Sequence, residues 1–92
     1  MVVAAVRIEL HVPGAQSLKD RRSVLNSLKD RLRGRFNVAV GEAEPSDLWQ
    51  RASLGLAAVG SERAVVDGML EDVVNWLRRD HAVTLIRVEQ ER

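Results

Sequence analysis

Positively charged side chains are concentrated between Ser17 and Arg35. This stretch holds seven basic and two acidic residues, a local charge of +5, whereas the whole chain carries only +1. At about 100° per residue, four of the cations fall on one line beside the apolar stripe of a helix: Lys19, Arg22, Lys29 and Arg33. Cations in a line bind phosphates or an acidic partner, or only keep a helix face solvated. The sequence therefore predicts a candidate nucleic-acid or partner-binding surface, with a solvated face as the alternative.

Aromatic and acidic residues further along are the other candidates for chemistry. Trp49 has a flat ring that can stack on a base or a ligand, although an anchor at the end of a strand is the commoner role. Glu42, Glu44 and Asp47 lie close together, but three acids in a turn are more often solvated or paired with arginine than catalytic. Arg21 projects into the apolar arc of the helix, where it needs a carboxylate such as Glu42 or Asp47.

Several kinds of site are absent from the sequence. It contains no cysteine, and its two histidines, His11 and His81, have no ligand-like spacing with each other or with carboxylates. No glycine-rich loop of the kind that holds phosphates or dinucleotides is present. The sequence therefore predicts no metal, no cofactor and no catalytic residue, and hence a protein that is not an enzyme.

The basic residues must be positioned by a helix. Ser17 and Asp20 have the spacing of a capping box at its start, and Gly34 is the expected stop. Residues at helical spacing between them form one apolar stripe, which consists of Leu18, Val24, Leu25, Leu28 and Leu32. We therefore expect this helix to pack on a core through one face and to present its cations beside that face.

Alternating and periodic apolar residues predict the remaining elements. In order, the chain is expected to form a strand over Val2–Val12, the basic helix, a strand over Phe36–Gly41, a strand over Leu48–Val59, a helix capped by Ser61 and a strand over Val83–Glu89. The segment GEAEPSD is expected to be a turn-rich connector. This order predicts an α+β, ferredoxin-like β-α-β-β-α-β sandwich: one domain of residues 1–92, with a four-stranded antiparallel sheet and two helices on one face.

The second face of that sheet is left without a helix. Small residues are expected on it, interspersed with charges and with Leu85 or Val83; they are Ala5, Ala39, Gly55 and Ala57, and the charges are Arg7, Glu9 and Arg51. An open face of this kind is most often covered by a second copy of the chain. A homodimer through the open sheet face is therefore expected, with a solvated face as the alternative.

Two blocks of the sequence, LKDRR…FNVAV and DLWQRA, resemble the small bacterial YlxP-like family, a domain of unknown function. The resemblance extends over nearly the whole chain. It implies a ferredoxin-like fold, a bacterial cytoplasmic location and a gene neighbourhood beside a translation initiation factor and a ribosome-binding factor, but no catalytic residues. Beside Lys19, Arg22 and Arg33, the matched positions whose role the family leaves open are Asn37, Glu42, Asp47, Trp49, Gln50 and Arg51.

Three classes of function are compatible with these features. The favoured one is a non-enzymatic binding module that contacts ribosomal RNA or a translation or ribosome-assembly partner through the basic helix. The second is an ACT-like small-molecule-sensing dimer, or a purely protein-interaction dimer. The third is an enzyme like the acylphosphatases, but VPGAQSLK lacks their glycine-rich phosphate loop with its arginine. The start of the chain does not resemble a signal peptide, so a cytoplasmic protein is expected.

Overall fold

The computed structural model describes residues 1–45 and 48–91. Its elements, in chain order, are β1 (Val2–His11), α1 (Leu18–Arg35), β2 (Ala39–Glu44), β3 (Arg51–Gly60), α2 (Arg63–Arg78) and β4 (Thr84–Glu91). Within these residues the strands form an antiparallel sheet in the order β2-β3-β1-β4. This arrangement confirms the predicted α+β, ferredoxin-like fold.

The core lies between the sheet and the two helices. Alternate residues of the central strands, such as Ile8 and Leu54, are fully buried, and so are residues at helical spacing in α1 and α2. They form a packed cluster whose largest members are Ile8, Leu10, Leu25, Leu28, Leu32, Leu54, Leu56 and Leu77. Removing one such side chain from water contributes roughly 1.5–3 kcal/mol, so this layer fixes α1 against the sheet.

The start of α1 is held by two reciprocal hydrogen bonds. The backbone N–H of Asp20 donates to Ser17 Oγ at 3.0 Å, which satisfies one of the unpaired donors of the first turn. The Asp20 carboxylate accepts the backbone N–H of Gln16 at 3.1 Å, one residue before the cap. The predicted cap is confirmed, and it determines where the chain enters the helix.

Replacing Ser17 with alanine is expected to lower the free energy of unfolding by about 1 kcal/mol, because the Asp20 N–H loses its acceptor. Urea denaturation followed by circular dichroism measures the loss. Ser23→Ala is the matched control, since Ser23 is an exposed residue inside the same helix, where alanine is well tolerated. Equal effects of the two substitutions would show that the cap does not contribute.

The prediction that Gly34 ends α1 is wrong. Gly34 lies inside the helix, which continues to Arg35 and is capped by Phe36. The Phe36 N–H donates to the Leu32 carbonyl at 2.9 Å, while the Phe36 backbone is already extended at φ −125°. Because the chain passes directly from helix to extended backbone, no left-handed residue is needed, and no described glycine has a positive φ.

The prediction that Ser61 caps α2 is wrong. The N-cap residue is Glu62, and its side chain makes no capping hydrogen bond. Four residues on, the Val66 N–H donates to the Glu62 carbonyl at 3.2 Å, and the Val66 side chain is fully buried. Packing of the apolar face therefore stabilises this end of the helix instead of a polar cap.

Two strands lie further along the chain than predicted. β2 covers Ala39–Glu44 instead of Phe36–Gly41, and β3 begins at Arg51 instead of Leu48. The bounds of β2 follow its pairing with β3, in which Ala39 lies opposite Ala57. The first four of the seven residues of GEAEPSD, which were predicted as a turn, are therefore strand. The exposed residues Leu48, Trp49 and Gln50 lie outside the sheet.

Both outer strands contain a bulge. In β2 the register shifts between Glu42 and Glu44, so Ala43 is the extra residue. In β4 the register shifts opposite Glu9 and Leu10, which leaves Ile86 without a directly paired residue. A bulge bends a strand and interrupts its hydrogen-bond ladder, so neither outer edge of the sheet is regular along its whole length.

The open face of the sheet carries the small residues that the alternation predicted. Ala5, Ala57 and Ala39 lie in one cross-strand row, and Gly55 and Gly41 lie side by side in the next row. At one end of the face, two exposed valines lie opposite each other, Val3 and Val59. The pairing of two copies of the chain through this face stays a prediction.

The placement of Leu85 or Val83 on the open face was wrong. Leu85 lies opposite Leu10, whose side chain is in the core, and Val83 is itself buried. The extra residue Ile86 shifts the alternation of β4 by one position, so the apolar residues before it turn towards the helices.

The middle of the open face is a hydrogen-bonded polar network. Arg7 Nε donates to Ser53 Oγ at 3.2 Å and lies 3.4 Å from Glu9 Oε1, which also accepts the Ser53 hydroxyl at 3.1 Å. The Arg7 guanidinium further forms an ion pair with Glu44, two strands away. One guanidinium is therefore bound by two carboxylates, and the Arg7 charge is engaged within the protein.

Candidate nucleic-acid interface

One flank of α1 is tied to α2. Arg31 Nη1 donates to Asp80 Oδ1 at 2.6 Å, and the Arg31 guanidinium lies 5.4 Å from the centre of the Trp76 ring. Phe36 meets the same ring edge-to-face, with 6.1 Å between centroids. Arg31 is therefore engaged within the protein and is not available to a ligand as a free cation.

Asp80 is the anchor of this contact. Its side chain is only 7% exposed, and its Oδ2 accepts the Ala82 N–H at 3.0 Å. Burial raises the pKa of Asp80, but the hydrogen bonds from Arg31 and the Ala82 N–H together outweigh burial and hold that pKa below its ordinary value. The carboxylate therefore stays charged at neutral pH and ties α1 to the loop that follows α2.

The other flank of α1 faces the outer strand β2. Arg33 Nη2 donates to the Val40 carbonyl at 2.9 Å, and Arg33 Nη1 lies 3.6 Å from Asp30 Oδ1. Arg33 is one of the predicted binding residues, and its side chain is half exposed. The structure shows that it also fastens α1 to β2, so a substitution here changes more than surface charge.

The remaining predicted cations are Lys19, Arg22 and Lys29, which we call the free stripe. Lys19 and Arg22 are exposed and Lys29 is half-buried. None of the three makes an ion pair or a side-chain hydrogen bond with a residue in the described ranges. At a rise of about 1.5 Å per residue, their backbone positions extend over about 15 Å of α1. Their charge is therefore open to solvent or to an anionic partner.

Glu42 lies on β2, the outer strand that Arg33 fastens to α1. It lies opposite Leu54, a core residue, so its side chain is on the helix-covered side of the sheet, and it is exposed at the edge. It forms no ion pair with any residue of the described part of the chain. Glu42 is therefore an exposed acid on the helix-covered side of the outer strand.

Arg21 is buried, as its position on the apolar arc predicts; it is 8% exposed. Its Nη1 donates to the Arg51 carbonyl at 3.1 Å, which ties α1 to the start of β3. Of its two predicted carboxylate partners, Glu42 does not reach it, and Asp47 lies outside the described residues. Arg21 therefore has a structural position and is not part of the exposed charge.

Gln50 has a role that the sequence pattern did not reveal. Its side-chain amide donates to the backbone carbonyls of Pro13 and Ala15, each at 3.2 Å. The backbone carbonyl of Gln50 accepts the Val12 N–H at 2.9 Å. These bonds clamp the loop before β3 onto the loop before α1. The residues around Gln50 in the sequence do not indicate this contact, because its partners are 35 and 37 residues away in the chain.

The other matched positions are exposed and are not gathered around a single point. Trp49 is 53% exposed and immediately precedes the Gln50 clamp. Asn37 lies between α1 and β2, and Arg51 lies opposite His11 at the end of the open sheet face. The structure therefore separates a surface beside α1 from an open sheet face, and it shows no catalytic constellation within the described residues.

Comparisons with known proteins now identify the family. Residues 3–90 match the family described as "Protein of unknown function (DUF503)". The chain belongs to the DUF503 family. The chain is also 34% identical over 76 residues to the protein named "Uncharacterized protein YlxP" of Bacillus subtilis (strain 168), a match that covers 83% of each chain. The predicted resemblance to a YlxP-like family is confirmed.

A cleft of this DUF503 chain lies between α2, β1 and β4. It has a volume of about 660 Å³. Its floor is apolar, from residues such as Val6, Leu70 and Val88, and its rim carries Asp67 and Glu71. This cleft lies on the α2 side of the domain, whereas the free stripe borders β2, so the two surfaces are separate.

Two further properties concern the described part of the DUF503 chain. In residues 1–45 and 48–91, no three histidine or acidic side chains are arranged to hold a metal ion. In the same ranges, neither helix is long and apolar enough to cross a membrane.

Proposed function

We propose that this DUF503 protein is a non-enzymatic binding module that contacts the phosphate backbone of RNA, and of ribosomal RNA in particular, through the free stripe. One observation carries the proposal. The other basic residues of α1 are engaged within the protein, Arg21 and Arg33 by carbonyls, Arg31 by Asp80 and Arg35 by the Phe36 ring. The three cations of the free stripe have no such partner in the described structure.

The chemistry of the free stripe is that of phosphate binding. When exposed lysine and arginine side chains bind a phosphate backbone, the counterions condensed on that backbone are released. The resulting affinity depends strongly on salt concentration and little on base sequence. Base stacking across the open sheet face, as in RNA-recognition motifs, is not supported. Its central rows hold Arg7, Glu9, Ser53 and Gly55 where such domains need aromatic rings.

Neutralising the free stripe with Lys19→Gln, Arg22→Gln and Lys29→Gln is expected to weaken RNA binding and its salt dependence together. Each phosphate contact to a single strand contributes about 0.7 to the slope of log affinity against log salt concentration. Loss of three contacts should therefore lower that slope by about 2. Fluorescence anisotropy with labelled fragments of small-subunit ribosomal RNA, across a salt series, measures both quantities.

The control variant is Arg63→Gln, Arg78→Gln and Arg79→Gln, which removes the same charge from exposed positions on and just after α2. It should retain the affinity and the slope of the parent protein. Equal losses in the two triple variants would mean that only net charge matters, and the proposed surface would then be wrong. A parent protein that does not bind the RNA at low salt would contradict the function itself.

A further inference from the structure

An exposed apolar patch lies at the end of the molecule where α1 begins. Trp49 is 53% exposed and Leu48 is 62% exposed, in the loop before β3, and Leu18 in the first turn of α1 is 37% exposed. The Trp49 ring makes no contact with another described aromatic ring or cation, whereas the Trp76 ring is packed against Phe36 and Arg31. A large aromatic side chain left in water in this way is available to a ligand.

Hydrogen bonds place this patch at the end of the molecule where the free stripe begins. The Gln50 amide binds the carbonyls of Pro13 and Ala15, just before α1, and Arg21 binds the carbonyl of Arg51 from the first turns of α1. Trp49 precedes these two residues in the chain, so it is held at the N-terminal end of the helix. The first two cations of the free stripe, Lys19 and Arg22, are at that same end.

We propose that Trp49 stacks on an unpaired base of a single-stranded RNA whose phosphates contact Lys19 and Arg22. The inference rests on the proposed function and names the kind of RNA that it requires. An aromatic ring beside cations matches a single strand, because every base offers a π-face and every nucleotide carries a phosphate. A regular duplex keeps its bases stacked on one another, so it can reach the cations but not the ring.

The test compares two RNAs of equal length, a fluorescein-labelled oligouridylate and a labelled RNA duplex, and two substitutions, Trp49→Ala and Trp49→Phe. Stacking on one base predicts a loss of roughly 5- to 100-fold in affinity for oligouridylate on Trp49→Ala. Trp49→Phe should lose less, because phenylalanine retains a ring. Duplex affinity should change little, and the salt slope for oligouridylate should stay the same because no phosphate contact is removed.

Val65→Ala is the matched control, because Val65 is 58% exposed and lies on α2, which follows the far end of β3. Thermal unfolding of all the variants checks that each is folded at the temperature of the assay. If Trp49→Ala binds oligouridylate as the parent does while the free-stripe variant does not, stacking is wrong and the proposed function stands. Equal losses for duplex and single strand on Trp49→Ala would also overturn stacking. If the parent binds neither RNA, both proposals fail.

Discussion

Replacing Leu28 with alanine is expected to lower the free energy of unfolding by about 2–5 kcal/mol. Leu28 is fully buried on the face of α1 that packs on the sheet, so truncation removes apolar contact and leaves a cavity. A domain of 92 residues has a total stability of roughly 5–14 kcal/mol. The substitution therefore removes a large part of what keeps the protein folded.

Chemical denaturation of the purified variant measures this effect. Val65→Ala serves as the control again, because Val65 is exposed on α2, and its truncation should change stability by less than about 0.5 kcal/mol. A loss below about 1 kcal/mol for Leu28→Ala would mean that α1 is loosely packed. The free stripe would then not be held on a rigid support.

Replacing Asp80 with asparagine is expected to cost about 2 kcal/mol at neutral pH, because hydrogen bonds to a charged group are worth roughly 1.5–3 kcal/mol. The Asp80 carboxylate accepts from Arg31 and from the Ala82 N–H, and its side chain is almost fully buried. The matched control is Asp67→Asn, because Asp67 is half exposed and lies 3.9 Å from Arg63. That pair should contribute less than about 0.5 kcal/mol.

The same substitution has a distinct dependence on pH. Because the folded-state pKa of Asp80 lies below the ordinary value of 3.8, its contribution to stability is complete above that value. The contribution is lost as the pH falls through the folded-state pKa. The difference in unfolding free energy between parent and Asp80→Asn should therefore be constant at neutral pH and shrink below the ordinary aspartate pKa. If this difference in unfolding free energy does not shrink below the ordinary aspartate pKa, the effect of Asp80→Asn comes from packing and not from charge.

Contacts between near neighbours were predictable from the sequence. Ser17 and Asp20 are close in the chain, and their spacing alone determines the cap at the start of α1. The buried leucines of α1 and the alternate residues of β1 and β3 follow the periods of helix and strand. The element order and the ferredoxin-like topology follow from these local patterns, because the rules for connecting strands and helices leave few alternatives.

The departures from prediction arise from distant contacts. Gly34 is a good helix stop by local rules, but α1 continues past it to place Phe36 against Trp76, 40 residues further along the chain. The bounds of β2 are set by its pairing with β3, and the orientation of Leu85 by a bulge. A single sequence does not show which residues will oppose one another in the sheet, so these features could not be read from it.

The sequence predicted that the cations of α1 form a line, but not which of those cations have no partner within the protein. Helical spacing groups Lys19, Arg22, Lys29 and Arg33 together. Which of them are free depends on partners elsewhere, and Arg33 proves to be bound to the Val40 carbonyl. The placement of Trp49 at the N-terminal end of this line likewise depends on the Gln50 clamp to the loop before α1.

The bulges in the two outer strands have a consequence for how the chain behaves at high concentration. A straight outer strand offers its free N–H and C=O groups as a template on which another chain can add, and ordered aggregates grow in this way. Here Ala43 and Ile86 interrupt that template on each side, and charged neighbours such as Glu42 and Arg87 flank the interruptions. The two bulges therefore hinder edge-to-edge growth of the sheet through its own geometry.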